Sequence, residues 1–154
     1  WPEWSPAART AIRKLAAQFK PSFQPPQGKF SAWHYFVIER SANPAAYRYT
    51  KPVVVLIDAG CFSATDIFVG AFAARPAGVK LVGTPTSGGS GRARGHTLAH
   101  SGIRLRVSSM ASFRPTGDVY DTNGILPDVI ARPAAADWVA GSDTVLEAAL
   151  EALK

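Results

Sequence analysis

The sequence predicts an α/β fold built around a strand, a helix and a second strand. Residues 53–57 form a continuous, mostly β-branched apolar run, which is typical of a parallel strand buried on both faces. From Ser63 to Pro76, apolar residues recur at three- and four-residue intervals, which is the period of an amphipathic helix. A second apolar segment follows at 79–83. Strand, helix and strand within about 30 residues predict a right-handed crossover with parallel pairing.

The residues before this unit predict a helix and a hairpin. At 5–19 the apolar stripe has helical spacing, Ser5 is a suitable N-cap and Pro6 suits the first turn. The aromatic and β-branched residues 33–40 predict a strand, and 47–49 is the candidate return strand of a hairpin.

The residues after the second strand predict mostly loops and short strands. In order, these are a flexible glycine-rich stretch (84–95), a strand pair (96–98 and 103–107, with 110–113 extending the second strand), a turn (114–118), a loop (120–128) and a final helix (144–153) capped by Ser142 or Asp143. There is no internal repeat or clear domain boundary, so residues 1–154 are expected to form a single α/β domain.

Length and composition favour a globular domain and argue against several functions. The chain has 154 residues, 47% of them hydrophobic and 18% charged, which suffices for a buried core. No apolar run approaches the ~20 residues that span a bilayer. The net charge is +6, but the basic residues are scattered apart from Arg92/Arg94 and Arg104/Arg106, which argues against nucleic-acid binding. The one cysteine, Cys61, excludes an internal disulfide and a cysteine-rich metal site.

The first residues of the chain favour a piece of a longer protein. The chain starts at Trp1 without a signal-peptide pattern, and its one methionine is Met110. We therefore expect a C-terminal fragment of a precursor, with an upstream part of that precursor completing any active site.

The bend between the first strand and the helix is the strongest candidate for chemistry. Gly60 permits a sharp turn, and Ser63 follows it at the start of the helix. The first amides of a helix lack partners within the helix and stabilise negative charge that develops on a reacting carbonyl. The structural alternative is that Ser63 caps the helix, with Asp66 as the returning acid of a capping box.

Four separated segments of the sequence resemble the catalytic core of the C-terminal processing (tail-specific) and tricorn-like serine peptidases. They are KPVVVLIDAGCFSATDIFVGA at 51–71, LVGTPTSGG at 81–89, the strand pair at 94–107, and FRPTGDVYDTNGILPDV at 113–129. The resemblance implies a crotonase/ClpP-like fold, which is a twisted sheet with flanking helices. It also implies a protein or peptide substrate, no metal or organic cofactor, and a periplasmic or secreted location.

The same resemblance implies roles for particular residues. Ser63 falls on the nucleophile, and Ala64 falls on the residue whose amide helps to form the oxyanion hole. The processing proteases have a lysine base where this sequence has Gly88 or Gly89, so a Ser–Lys dyad is absent. The tricorn-like branch pairs the serine with a histidine, supported by an acid that falls on Asp121. That histidine, and a Gly-Gly run with a second oxyanion donor, would lie upstream of this chain.

Several of these residues also have simpler interpretations. Asp121 fits an ordinary Asp-Asn-Gly turn, and His34 fits a packing residue of an aromatic strand. His96 and His100 are internal candidates for the base, or surface polar residues. The glycine-rich stretch with Gly88 and Gly89 is expected to border the substrate cleft, or to be a plain flexible loop. It lacks the Gly-Lys-Ser/Thr ending of a phosphate-binding loop.

The resemblance implies a serine endopeptidase, in which Arg92 and Arg94 of the glycine-rich stretch could meet a substrate carboxylate. Two other functions fit the same fold. One is a non-catalytic ligand-binding module like the retinoid-binding proteins, and the other is a peptide-binding domain.

Overall fold

The computed structural model describes residues 4–39, 41, 43, 45–47, 49–73, 78–121 and 124–154. This part of the chain contains both helices and strands, so the predicted mixed α/β class is confirmed. The elements are α1 (Pro6–Gln18), β1 (Val53–Ile57), α2 (Ala64–Ala73), β2 (Val79–Gly83), β3 (Ala93–Thr97), β4 (Arg104–Ser108), β5 (Val129–Ile130), α3 (Ala135–Ala140) and α4 (Thr144–Ala152). None of the helices in the described ranges is long and apolar enough to cross a membrane.

A three-stranded parallel sheet in the order β1-β2-β5 forms the centre of the fold. β1 pairs with β2 from Val53 opposite Val79 to Ile57 opposite Gly83. The predicted parallel strand–helix–strand unit is therefore confirmed, with α2 as its connection. The sequence did not predict β5, which is only two residues long and pairs with the other edge of β2.

Two apolar clusters pack on opposite faces of the sheet. Leu81 and Val82 are adjacent in β2, so their side chains point to opposite faces, and both are almost fully buried. Leu81 packs with Val69 of α2, while Val82 packs with Ala149 of α4. Burial of each large aliphatic side chain contributes roughly 1.5–3 kcal/mol. The helix α2, which begins just after Ser63, is therefore packed firmly against the sheet.

β3 and β4 form a separate antiparallel hairpin, which confirms the predicted strand pair. The first strand begins at Ala93, so the flexible stretch before it is shorter than predicted. Every residue of both strands is exposed. The predicted extension at 110–113 is wrong, because only Phe113 forms an isolated bridge there, with Val119.

The first and the last of the predicted helices are confirmed together with their caps. The Ser5 hydroxyl accepts a hydrogen bond of 3.0 Å from the amide of Ala8, which begins α1. In α4 the cap is Asp143, whose carboxylate accepts from the amide of Leu146 at 2.9 Å. The short helix α3 was not predicted.

The predicted strand at 33–40 is wrong. Residues 33–39 lie outside every helix and strand, and position 40 lies outside the described residues. Trp33 instead packs edge-on against Phe19 and Phe113, with ring centroids 5.3 Å apart in both pairs. Aromatic residues stabilise strands mainly through such packing, and here the ring contacts form without backbone pairing.

The return strand predicted at 47–49 is also absent from the described residues. Positions 47 and 49 belong to no strand, and position 48 lies outside the part of the chain that the structure describes.

Candidate active site

Ser63 stands at a strained bend between β1 and α2. Its φ is +62°, and it is the one non-glycine residue with a positive φ in the described part of the chain. This left-handed conformation costs about 1–3 kcal/mol and persists only where the surroundings impose it. The preceding turn is held by Asp58, whose side chain accepts from the Gly60 amide at 2.8 Å and whose carbonyl accepts from the Cys61 amide at 3.0 Å.

The bend leaves two polar groups facing solvent. Ser63 is exposed, and within the described residues its hydroxyl has no hydrogen-bond partner. The next residue, Ala64, opens α2, and its amide donates to no protein group in the same ranges. The local helical bonds begin further on, with the amide of Thr65 donating to the carbonyl of Phe62. A free hydroxyl therefore stands beside a free amide.

The capping interpretation of Ser63 is wrong. A cap would accept from a first-turn amide of α2, and the hydroxyl accepts from none. A capping box would also need Asp66 to bond back to the Ser63 amide. Asp66 is instead fully buried and bonded elsewhere.

The carboxylate of Asp66 binds the loop at 84–91, which we call the glycine loop. One oxygen of Asp66 accepts from the Thr86 hydroxyl at 2.6 Å and from the Gly88 amide at 3.1 Å. The other oxygen accepts from the Gly89 amide at 3.1 Å. A buried carboxylate needs such partners, because its burial without them would be very unfavourable. The glycine loop is therefore attached to the first turn of α2 and is not a plain flexible loop.

The opposite side of the glycine loop is attached to the segment that contains Asp121. The Asp121 carboxylate accepts from the Ser90 amide at 3.2 Å and from the Ser90 hydroxyl at 3.4 Å. The Thr86 hydroxyl, which donates to Asp66, accepts from the Ile125 amide at 2.7 Å. Asp121 thus lies at the border of the loop, and no hydrogen bond joins it to Ser63.

Two contacts bring the glycine loop beside Ser63. The Ser87 amide donates to the Cys61 carbonyl at 2.9 Å, two residues before the serine. The ring of Phe62 lies so close to Gly89 that a Cβ there would overlap it. The structure therefore brings Ser63, Ala64 and the glycine loop together, and the catalytic and substrate-binding roles of these residues stay predictions.

The histidines are not brought to Ser63 by hydrogen bonds in the described residues. His34 is exposed in an irregular segment, so its predicted packing role in a strand is wrong. His96 and His100 are also exposed, on β3 and in the turn that follows it. In the part of the chain that the structure describes, no group of three or more His, Cys, Asp or Glu side chains could hold a metal ion.

The sequence interpretation missed the roles of Asp66 and Thr86. The resemblance pointed to an acid three residues after the serine, but the pattern Ser-x-x-Asp equally fits a capping box. The partners of Asp66 lie 20 or more positions away, so local spacing could not identify them.

The family of the chain follows from a comparison with protein-family models. The model of peptidase family S41 matches residues 9–131. Because this match covers most of the sequence, the chain belongs to peptidase family S41. The predicted resemblance to the tail-specific and tricorn-like peptidases is thereby confirmed. A search of the curated proteins found no significant match.

Solved structures support the same conclusion. A protein of Parabacteroides merdae ATCC 43184 assigned to the peptidases is 32% identical over 69% of this chain and 33% of its own, with a TM-score of 0.62. Tricorn protease is 28% identical over 66% of this chain and 10% of its own, with a TM-score of 0.54. Mature CPAF complexed with lactacystin has a TM-score of 0.52 at 24% identity, over 69% of this chain and 19% of its own, and shows similarity of fold alone. The chain thus spans a third or less of the length of these structures.

Proposed function

We propose that this chain is the C-terminal part of the catalytic core of a serine-type endopeptidase, with Ser63 as the nucleophile. The observation that carries the proposal is the geometry of Ser63, whose exposed hydroxyl stands on a strained bend at the start of α2. Strained backbone of this kind clusters at active sites, where the contacts of the surrounding structure maintain the strain and place a reactive group. The membership of the chain in a peptidase family supports the same assignment.

The reaction follows from the groups around the bend. The Ser63 oxygen attacks the carbonyl carbon of a peptide bond while a base takes the hydroxyl proton. The Ala64 amide donates to the oxyanion of the tetrahedral intermediate, which is worth about 3–4 kcal/mol per donor. The intermediate expels the amine with that proton and leaves an ester on Ser63. Water then attacks the ester and releases the acid, which restores the hydroxyl.

The general base in this proposal is a histidine from a preceding part of the precursor, as in the tricorn-like branch. Gly88 and Gly89 occupy the lysine position of the other branch, and in the described residues no histidine hydrogen-bonds Ser63. Asp121 is assigned to support that histidine. Each carboxylate oxygen has two acceptor sites, so the bonds to Ser90 leave capacity for one more donor.

A fluorophosphonate probe, which forms a covalent bond with activated serines, tests this proposal on the precursor, because the proposed histidine base lies in the part that precedes this chain. We expect stoichiometric labelling that maps to Ser63 by mass spectrometry, is lost in Ser63→Ala and is unchanged in Ser101→Ala, a matched exposed serine in the hairpin turn. Labelling that persists in Ser63→Ala would overturn the assignment.

The non-catalytic ligand-binding module is the second candidate, because no basic side chain hydrogen-bonds Ser63 in the described residues. It predicts no labelling at Ser63 together with saturable binding of an apolar ligand such as a retinoid. A peptide-binding domain predicts stoichiometric binding of unstructured peptides without turnover. Either result, without labelling, would replace the peptidase proposal.

A further inference from the structure

We infer that Asp66 and Thr86 are positioning residues that hold the glycine loop against the Ser63 bend and thereby set the orientation of the Ser63 hydroxyl. We call this pair the Asp66–Thr86 clamp. The inference rests on the proposed function, because it concerns the same serine, but it assigns a role to two side chains that touch neither the substrate nor the hydroxyl.

The clamp uses nearly all the hydrogen-bonding capacity of its two side chains. Asp66 receives three hydrogen bonds, shared between both of its oxygens, at 2.6–3.1 Å. Thr86 donates to Asp66 and accepts from the amide of Ile125, so a continuous chain of bonds runs from Ile125 through Thr86 to α2. Asp66 is fully buried and Thr86 is 6% exposed, so water does not compete for these bonds.

The position of the clamp explains why it would affect the nucleophile. Asp66 lies in the first turn of α2, three residues after Ser63. The loop that it holds contacts the two residues just before Ser63, through the Ser87–Cys61 hydrogen bond and the Gly89–Phe62 contact. The clamp therefore fixes the chain on both sides of the strained serine.

The clamp also accounts for how the strain at Ser63 is maintained. A residue with φ of +62° relaxes when its neighbours are free to move, so something must hold both flanks. The Gly88 and Gly89 amides are used by Asp66, which makes them structural groups and not oxyanion donors. Catalytic groups tolerate little displacement, since a shift of about 1 Å costs about 100-fold in rate.

The test measures how fast a fluorophosphonate inactivates Ser63 in the precursor that carries the proposed histidine base, with the maximal inactivation rate and the half-saturating concentration determined separately. Thr86→Val removes the clamp hydroxyl and keeps the charge of Asp66, while Thr86→Ser keeps the hydroxyl. We expect Thr86→Val and Asp66→Asn to lower the maximal rate by about 10- to 100-fold, with Thr86→Ser within about threefold of the wild type. The loss should appear in the maximal rate and not in the half-saturating concentration.

A matched pair at the other end of the chain controls for a general loss of stability. Thr144 donates its hydroxyl to the carboxylate of Asp137 at 2.6 Å, the same distance as in the clamp, but far along the chain on α3 and α4. Thr144→Val and Asp137→Asn should leave the maximal rate within about twofold of the wild type. Far-UV circular dichroism at the assay temperature identifies the variants that are folded. If Asp66→Asn does not fold, the comparison of Thr86→Val with Thr86→Ser decides the test.

Two results would overturn the clamp while leaving the peptidase proposal intact. One is folded Thr86→Val that is inactivated at the wild-type maximal rate. The other is an equal loss in the control pair, which would reveal a general effect of stability. Absence of Ser63 labelling in the wild-type precursor would instead defeat the proposed function itself.

Discussion

The ring of Tyr120 lies directly against the backbone of Gly70, so that any side chain at position 70 would overlap its hydroxyl and its Cε1 and Cζ atoms. Both residues are buried, Gly70 in the middle of α2 and Tyr120 just before Asp121. This contact joins the helix that begins after Ser63 to the segment that carries the candidate supporting acid. A glycine in a helix interior lowers helix stability, and here the close approach of the ring explains its presence.

We therefore expect Gly70→Ala to destabilise the fold by about 1–3 kcal/mol, even though alanine is the better helix former, because the methyl group overpacks this contact. Urea unfolding followed by circular dichroism measures the change. Gly95→Ala is the matched control, since a Cβ there meets nothing within 4 Å, and it should leave the fold as stable as the wild type or more stable by up to about 1 kcal/mol. A Gly70→Ala variant as stable as the wild type would show that α2 can move away from Tyr120.

Alkaline pH should weaken the same contact. Burial raises the pKa of Tyr120 above its ordinary value of 10.0; Arg114 acts in the opposite direction and Asp66 adds to the rise. The folded state holds the phenolic proton more tightly than the unfolded chain, and this difference contributes to the free energy of unfolding. The contribution is complete below about pH 10 and is lost as the pH rises through the folded-state pKa of Tyr120.

Urea unfolding between pH 8 and pH 11 measures this effect. We expect the free energy of unfolding to fall above about pH 10 in the wild type and to fall less steeply in Tyr120→Phe, which has no ionisable group there. The two curves should run parallel below pH 10. Equal slopes above pH 10 would show that Tyr120 ionises as readily in the fold as in the unfolded chain.

The strain at Ser63 predicts an unusual response to glycine. Ser63→Gly relieves a left-handed conformation that costs a side chain about 1–3 kcal/mol, which outweighs the extra backbone entropy of glycine, about 0.5–1 kcal/mol. We therefore expect Ser63→Gly to be more stable than Ser63→Ala in urea unfolding, although both lack the hydroxyl.

Ser101 provides the control for that comparison, because it is an exposed serine whose φ is not positive. There the order should reverse, with Ser101→Ala at least as stable as Ser101→Gly. If Ser63→Gly were the less stable of its pair, the bend would not be strained and the geometric support for the nucleophile would be lost.

The part of the fold that the sequence predicted well is the part governed by local periodicity. The apolar run at 53–57 and the helical spacing after Ser63 both reflect one buried face, so β1, α2 and β2 were predictable in type and order. The structure of residues 33–39 was not predictable in this way. Aromatic residues favour strands through packing, and Trp33 packs against its aromatic partners without forming a strand.

The candidate site shows the same division. The bend at Ser63 was predictable from neighbouring residues, since a strand, a glycine and a helix start follow one another within the chain. The clamp was not, because the partners of Asp66 are amides and a hydroxyl of a distant loop, and any loop sequence supplies amides. A capping box and a buried clamp share one sequence pattern, and tertiary contacts decide between them.

The close packing of the glycine loop predicts that a lysine introduced there will not create a Ser–Lys dyad. Gly88 has a φ of +70°, and a Cβ there would lie 2.5 Å from the amide nitrogen of Gly124. A Cβ at Gly89 would overlap the ring of Phe62. We therefore expect Gly88→Lys and Gly89→Lys to lower both stability and the rate of fluorophosphonate labelling at Ser63, because each displaces the loop from the bend.

Gly95→Lys, at an open position on the hairpin, carries the same added charge and should leave both stability and the labelling rate unchanged. Faster labelling of Gly88→Lys than of the wild type would mean that the loop can accept a lysine base, and that this chain differs from the processing branch by one substitution and not by the packing of its loop.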